Sequence, residues 1–210
     1  MHKIETKTLI AEIFNATTHG IGTLLGIIGL IFLIVKGIHI STLNIISYTI
    51  YGITLILLFL FSTLYHSLSF TKAKKIMRVF DHSAIYLLIA GSYTPYCLLA
   101  VKGTQGWLMC FVIWIIALIG IIVKCFNIGK NVLLSSILYL GMGWLSLLLI
   151  VPLYQAIGFN GILLLVLGGI SYSIGTIFYN MKKIEFMHVI WHLFVMLGAG
   201  FMYFSIFLYV

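Results

Sequence analysis

The sequence predicts an all-α integral membrane protein. We expect one domain, residues 1–210, folded as a bundle of seven transmembrane helices with a cytoplasmic N-terminus and an external C-terminus. The chain is 62% hydrophobic and only 8% charged, and its mean hydropathy is +1.20. Its apolar runs are long enough to cross a hydrocarbon layer about 30 Å thick. This composition excludes a water-soluble domain, because a chain this apolar would expose large hydrophobic patches to water.

Seven apolar segments, separated by short polar loops, are the predicted helices. They follow a polar, amphipathic cytoplasmic lead-in (residues 1–19) and lie at about 20–36, 45–68, 79–101, 107–125, 132–152, 160–180 and 187–209. Glycines are dense in several segments, as in "LGGISYSIG", and small residues allow membrane helices to pack closely. The sequence shows no internal repeat, so it gives no support to a transporter built from two related halves.

The distribution of lysine and arginine predicts the orientation. Ten of the twelve basic residues lie in the lead-in and in the second, fourth and sixth loops: Lys3, Lys7, Lys72, Lys74, Lys75, Arg78, Lys124, Lys130, Lys182 and Lys183. The opposite side carries only Lys36 and Lys102. Because cytoplasmic loops hold the excess of basic residues, the N-terminus is expected inside. The formal charge of +8 is explained by these loops and indicates no nucleic-acid partner.

Ionisable residues inside the predicted helices indicate a candidate site. The stretch "EFMHVIWHLF" places His188 and His192 one helical turn apart, so both imidazoles share a face. The second segment carries Ser62 and His66 at the same spacing, and the third begins near Asp81. Under the predicted orientation these side chains fall at a similar depth near the cytoplasmic face. Ionisable side chains are costly inside an apolar bundle, so they mark a functional site by default.

The chemistry of these residue types favours a metal site. Three neutral imidazoles with one open position are the ligand set of a catalytic zinc, and a nearby carboxylate could hold its water. Imidazole also binds copper, iron and nickel, so zinc is favoured without being the only choice. The alternative is that His188 and His192 simply hydrogen-bond across the bundle. Ser62 either bonds to its own backbone or supports the site, and His82 is expected to point about 100° away from Asp81, outside the metal shell.

Three polar residues precede the first apolar segment on one helical face. They are Glu12, Asn15 and His19. One interpretation is an amphipathic helix that lies at the membrane interface. The other is a cap that closes the site from the cytoplasm, and the sequence leaves both open.

The motifs as a set resemble those of the hemolysin III family, the bacterial-type branch of the progestin and adipoQ receptors. The resemblance covers the pattern Ser62-x-x-x-His66, Asp81 and His188-x-x-x-His192, together with "TTHGIG" and "HVIWHLFVMLGA". It implies a zinc ion held by the three histidines, with Asp81 orienting or deprotonating the metal-bound water and Ser62 close by. In the adiponectin-receptor relatives and the alkaline ceramidases, such a site is associated with hydrolysis of ceramide-like amides. The family name implies lysis of red cells, but these residues do not indicate a pore-forming toxin.

The function predicted from the sequence is that of a multi-pass cell-membrane protein that uses zinc to hydrolyse a lipid amide or ester. The substrate is expected to be a membrane lipid that enters sideways between the helices. The sequence indicates no protein partner. The alternative is a non-catalytic sensor or regulator of membrane fluidity in which zinc clamps the helices together. A channel or transporter is disfavoured because the outer halves of the segments are nearly free of charge. A retinal protein is disfavoured because the last segment has no lysine, and a conventional G-protein-coupled receptor because the termini face the wrong way.

Overall fold

The computed structural model describes residues 6–127, 132–181 and 184–210, and all regular structure within these ranges is helical. The α-helices are α1 (Thr6–Ile38), α2 (Thr42–Ser67), α3 (Lys74–Pro95), α4 (Gly103–Asn127), α5 (Val132–Trp144), α6 (Ile150–Asn180) and α7 (Met187–Tyr209). In lipid, a helix satisfies every backbone N–H and C=O within its own segment, which is why apolar runs adopt it. The predicted all-α class is therefore confirmed.

Within the described ranges, six helical stretches are long and apolar enough to cross a membrane by length and composition. One of them, Leu133–Asn180, has 48 residues and would measure about 72 Å as a straight helix at 1.5 Å per residue. It is not straight, because a 3₁₀ segment, Leu145–Leu149, joins α5 to α6. In addition, Gly158 inside α6 has φ 64° and ψ −174°, a conformation outside the helical region that glycine tolerates.

Helix α1 begins earlier than the first predicted segment and continues without a break from Thr6 to Ile38. Before the first predicted segment, α1 buries the polar side chains of Asn15 and His19 and exposes apolar neighbours: Asn15 is 4% exposed, whereas Phe14 is 52% exposed. This arrangement is the reverse of that in a water-soluble protein. It is stable where the surroundings are hydrocarbon, because polar groups then find their partners inside the bundle.

The ends of the central helices follow from local chemistry. Helix α2 starts after Ser41, whose Oγ accepts the backbone N–H of Asn44 at 3.2 Å and so satisfies a free donor of the first turn. Helix α3 continues after Pro95 as a π-helical segment, Tyr96–Val101, since proline has no N–H for the regular i to i−4 bond.

Helices α1, α2 and α3 pack side by side, and α7 packs against both α1 and α6. The closest approach of α2 and α3 requires a glycine, because a Cβ atom on Gly91 would overlap Oγ1 of Thr54. This packing brings the end of α2 beside the starts of α3 and α7 and beside the first half of α1. The predicted site residues all lie at this end of the bundle.

Candidate metal centre

Three histidines from two distant helices converge at this end of the bundle. One ring nitrogen each from His66, His188 and His192 lies within 4.8 Å of the other two. The ring centroids are 4.8–5.1 Å apart. His66 and His192 are buried, and His188 is partly buried. This group could hold a metal ion.

The His66 ring is held by a carboxylate from α1. Its Nδ1 lies 2.5 Å from Oε2 of Glu12, while its Nε2 is buried without a hydrogen-bond partner. We assign the hydrogen to Nδ1, which donates to Glu12, because the carboxylate can only accept. The lone pair of Nε2 is then free for a ligand. A histidine that donates its second ring nitrogen to a carboxylate is the usual arrangement in metal sites.

The His192 ring is held in a similar way by the backbone of α1. Its Nδ1 lies 3.3 Å from the carbonyl oxygen of Asn15 and 3.4 Å from Oγ1 of Thr18. An Nδ1–H that donates to the Asn15 carbonyl leaves Nε2 as the available ligand atom. His19 stacks on the same ring, with centroids 3.6 Å apart and planes 7° from parallel. Helix α1 therefore orients ligands on both α2 and α7.

The donor set fits a divalent transition metal. Imidazole nitrogens bind such metals well, whereas calcium and magnesium prefer oxygen ligands. The buried, unpartnered Nε2 of His66 is the kind of atom that a metal would satisfy, since a buried polar group without a partner is costly. Among the residues that the structure describes, the three histidines form the one group of His, Cys, Asp or Glu side chains with suitable spacing.

Asp81 lies beside this group and contacts a histidine that the sequence analysis set aside. Its Oδ2 is 3.1 Å from Nδ1 of His82, and His82 does not belong to the group of three histidines. Two tyrosines contact His82: the Tyr179 hydroxyl lies 3.3 Å from Nε2 of the ring, and the Tyr139 hydroxyl donates to the backbone carbonyl at 3.1 Å. The start of α3 is thus fixed by α5 and α6, which positions the carboxylate.

A cavity of about 150 Å³ extends from the site into the middle of the bundle. Its polar end is lined by His19, Ser62, Asp81, His82, His188 and His192. Its walls are mainly apolar and include Leu58, Ile85, Leu88, Leu140, Trp144 and Val195. Ser62 is only 2% exposed, so a ligand would reach its side chain mainly from within the cavity. The cavity combines an ionisable end with an apolar interior.

The contacts of α1 were only partly visible in the sequence. The shared face of Glu12, Asn15 and His19 was a usable signal, but it did not reveal which histidines these residues touch. The structure places Glu12 against His66, and both Asn15 and His19 against His192. It therefore brings this face of α1 to the metal-binding group.

The fold and the site together define a class: an all-helical, multi-pass membrane protein with a buried group of three histidines that could hold a metal ion. The family model described as "Haemolysin-III related" matches residues 7–203. The chain therefore belongs to the hemolysin III family, within the progestin and adipoQ receptors, as the motifs predicted.

Individual relatives agree with this family. The chain is 49% identical to the hemolysin-3 homolog of Bacillus subtilis (strain 168) over 203 residues, which cover 96% of this chain and 95% of that protein. It is 45% identical to hemolysin-3 of Bacillus cereus over 206 residues, covering 98% and 94% of the two chains. The human monocyte to macrophage differentiation factor is 32% identical over 166 residues, covering 76% and 68%. With these bacterial relatives and the apolar helices, the predicted location as a multi-pass protein of the cell membrane is confirmed.

Proposed function

We propose that this protein is a zinc-dependent hydrolase that cleaves a lipid amide or ester within the membrane. The observation that supports this function is the position of the three histidines beside Asp81, at the polar end of a mainly apolar cavity. The histidines provide a metal-binding group, the carboxylate an acid–base group, and the cavity a space that suits hydrocarbon. A lipid with a carbonyl near one end matches all three.

Zinc is the metal that this site suits best. Catalytic zinc sites have three protein ligands and one open position, whereas structural sites are closed by four. Within the described part of the chain, no fourth His, Cys, Asp or Glu side chain joins the group. This count favours a reactive centre over a clamp between helices. Ligands of the zinc would be His66, His188 and His192 through one nitrogen each.

Bound zinc would supply a Lewis acid that polarises the carbonyl and makes water a better nucleophile near neutral pH. Asp81 would accept the proton of the attacking water and return it to the leaving amine or alcohol. Nδ1 of His82 lies beside this carboxylate, 3.1 Å from Oδ2. Ser62 faces the same space and can hydrogen-bond to a reacting oxygen. The buried setting limits access of bulk water.

We further propose seven membrane spans within one domain, with the N-terminus in the cytoplasm. The non-helical Gly158 divides the 48-residue stretch between Leu133 and Asn180, which allows that stretch to cross the membrane twice. With seven spans, and with the excess of lysine and arginine on the cytoplasmic side, the histidine group would lie in the cytoplasmic leaflet. Membrane lipids are then the natural source of substrate, and a substrate reaches the cavity sideways between helices.

The function is tested by metal content and lipid turnover on the detergent-purified protein. Wild type should hold about one zinc per chain, and the zinc should be lost in His66→Ala and in the double variant His188→Ala/His192→Ala. Asp81→Asn should keep its zinc, because the carboxylate is not in the histidine group, yet lower turnover about 10²- to 10⁴-fold, as expected for a missing general base. Turnover is measured with a fluorescent ceramide and a fluorescent fatty-acid ester.

Two results would contradict this proposal. Full turnover by Asp81→Asn would exclude Asp81 as the general base. Zinc-loaded wild type that cleaves neither lipid would exclude the hydrolase. Zinc that is bound without turnover would support the alternative function, a regulator of membrane fluidity in which the metal ties α2 to α7.

A further inference from the structure

His19 is a deeply buried side chain whose polar atoms have no hydrogen-bond partner among the residues that the structure describes. It is 3% exposed, and both Nδ1 and Nε2 are buried without a hydrogen bond. Leaving a buried polar group unsatisfied is costly. A histidine in this state requires a partner from outside the chain. The His19 side chain lines the cavity, where such a partner can reach it.

The stacking on His192 shows that this partner is not the metal itself. The two rings are nearly parallel, at 7°, and their centroids are 3.6 Å apart. A histidine binds a metal through a lone pair that lies in the plane of its ring. Two parallel planes separated by about this distance share no point, so His19 and His192 cannot ligate one ion in this arrangement. His19 is also absent from the group whose nitrogens lie within 4.8 Å of one another.

The His19 side chain lines the polar end of the same cavity, together with Asp81, His188 and His192. A neutral imidazole offers one N–H donor and one acceptor. The other polar groups at this end of the cavity wall are Ser62, which can donate or accept, Asp81, which when ionised can only accept, and His82 and His188. Nδ1 of His82 also lacks a hydrogen bond, but it lies 3.1 Å from the Asp81 carboxylate. A carbonyl oxygen needs donors, and His19 can supply one because neither of its ring nitrogens has a hydrogen-bond partner among the described residues.

We propose that His19 binds the carbonyl oxygen of the lipid amide or ester and holds it beside the histidine group. This inference rests on the proposed function for the class of ligand, but it concerns binding and does not require turnover. His19 then selects lipids that carry a carbonyl at the polar end over lipids that carry an ether or no oxygen at that position. The apolar walls of the cavity contribute affinity without this discrimination.

A purely structural role for His19 makes a different prediction, because its ring also packs against apolar surface. The edge of the ring meets Phe59, with centroids 5.0 Å apart at 75°. In His19→Phe the flat ring and both ring contacts remain, and only the two nitrogens are lost. In His19→Gln the stacking is lost, and an amide donor is restored. The pair therefore separates hydrogen bonding from packing.

The test measures binding of two probes to the full-length, zinc-loaded protein in detergent. One probe is a fluorescent short-chain ceramide, and the other is the matching lipid with an ether in place of the amide. His19→Phe should weaken ceramide binding by roughly 2- to 12-fold, the value of one neutral hydrogen bond, and leave ether binding and zinc content unchanged. His19→Gln should recover ceramide binding. The matched control is His39→Phe, the same change at an exposed histidine, which should alter neither probe.

Several results would overturn this assignment. Ceramide binding equal to wild type in His19→Phe would show that no hydrogen bond is made. An equal loss of both probes would show a packing role, and a loss of zinc would show that His19 supports the metal. Wild type that binds neither probe would exclude a lipid carbonyl as the partner. If the binding differences are present but wild type cleaves no lipid, the proposed hydrolase function fails and the proposed role of His19 in binding stands.

Discussion

Replacement of Glu12 tests whether α1 controls the metal affinity of a histidine on α2. The Glu12 carboxylate accepts the Nδ1–H of His66 at 2.5 Å, and the Glu12 side chain is only 17% exposed. Limited contact with water strengthens this bond, since solvent competes poorly for either partner. Loss of the carboxylate should free the imidazole to rotate and make its Nε2 a weaker ligand.

The expected loss of zinc affinity follows from the chemistry of the hydrogen bond between Glu12 and His66. Outer partners of metal-binding histidines change metal affinity by about 10- to 100-fold, which corresponds to about 1.4–2.8 kcal/mol. Glu12→Ala removes both the charge and the acceptor, so we expect a loss near 100-fold. Glu12→Gln keeps an acceptor oxygen. Because charge-assisted hydrogen bonds are about twice as strong as neutral ones, we expect it to lose about half of that free energy, or about 10-fold.

The assay is a chelator competition that gives the zinc dissociation constant of the full-length protein. Glu185→Gln is the matched control: its carboxylate is 53% exposed and lies 3.3 Å from Nζ of Lys7, so its loss should leave zinc affinity unchanged. Surface ion pairs of this kind contribute little. A dissociation constant for Glu12→Ala equal to that of wild type would refute the proposed support of His66. An equal weakening in Glu185→Gln would show a general charge effect instead.

Two further substitutions test the packing and the backbone contacts of the site. Gly91→Ala should destabilise the protein by about 1–3 kcal/mol, because the new methyl group overlaps Thr54. The control is Gly141→Ala, where a Cβ meets nothing within 4 Å; it should melt like wild type in the same detergent. Equal melting temperatures for the two variants would contradict the close approach of α2 and α3. Asn15→Ala should retain zinc, because His192 contacts the backbone carbonyl of Asn15 at 3.3 Å, and alanine carries the same carbonyl. Zinc loss measured by mass spectrometry would show that the side chain is required.

The sequence by itself determined the class of fold and part of the site. A chain that is 62% hydrophobic can satisfy its backbone in lipid only as helices or a closed barrel, and the lengths of the runs selected helices. The last predicted segment, 187–209, agrees with α7 at Met187–Tyr209. His188 and His192 were paired by spacing alone, because a helix brings residues four apart onto one face.

Local patterns were misleading where polar residues face the interior of the bundle. The first apolar segment was expected to begin at residue 20, whereas α1 begins at Thr6. Glu12 and His19 interrupt the hydropathy, yet the structure turns them inward and exposes their apolar neighbours. A prediction based on hydropathy assigns polar residues to water and cannot detect a polar partner on another helix.

Only the tertiary structure decided which side chains meet. Glu12 and His66 are 54 positions apart, and His19 and His192 lie on the first and last helices. Such contacts depend on how each helix is rotated about its own axis and on how closely its neighbours approach, and these quantities are set by packing over the whole bundle. The spacing of residues along a helix determines the face that they share. It does not determine which other helix that face will contact.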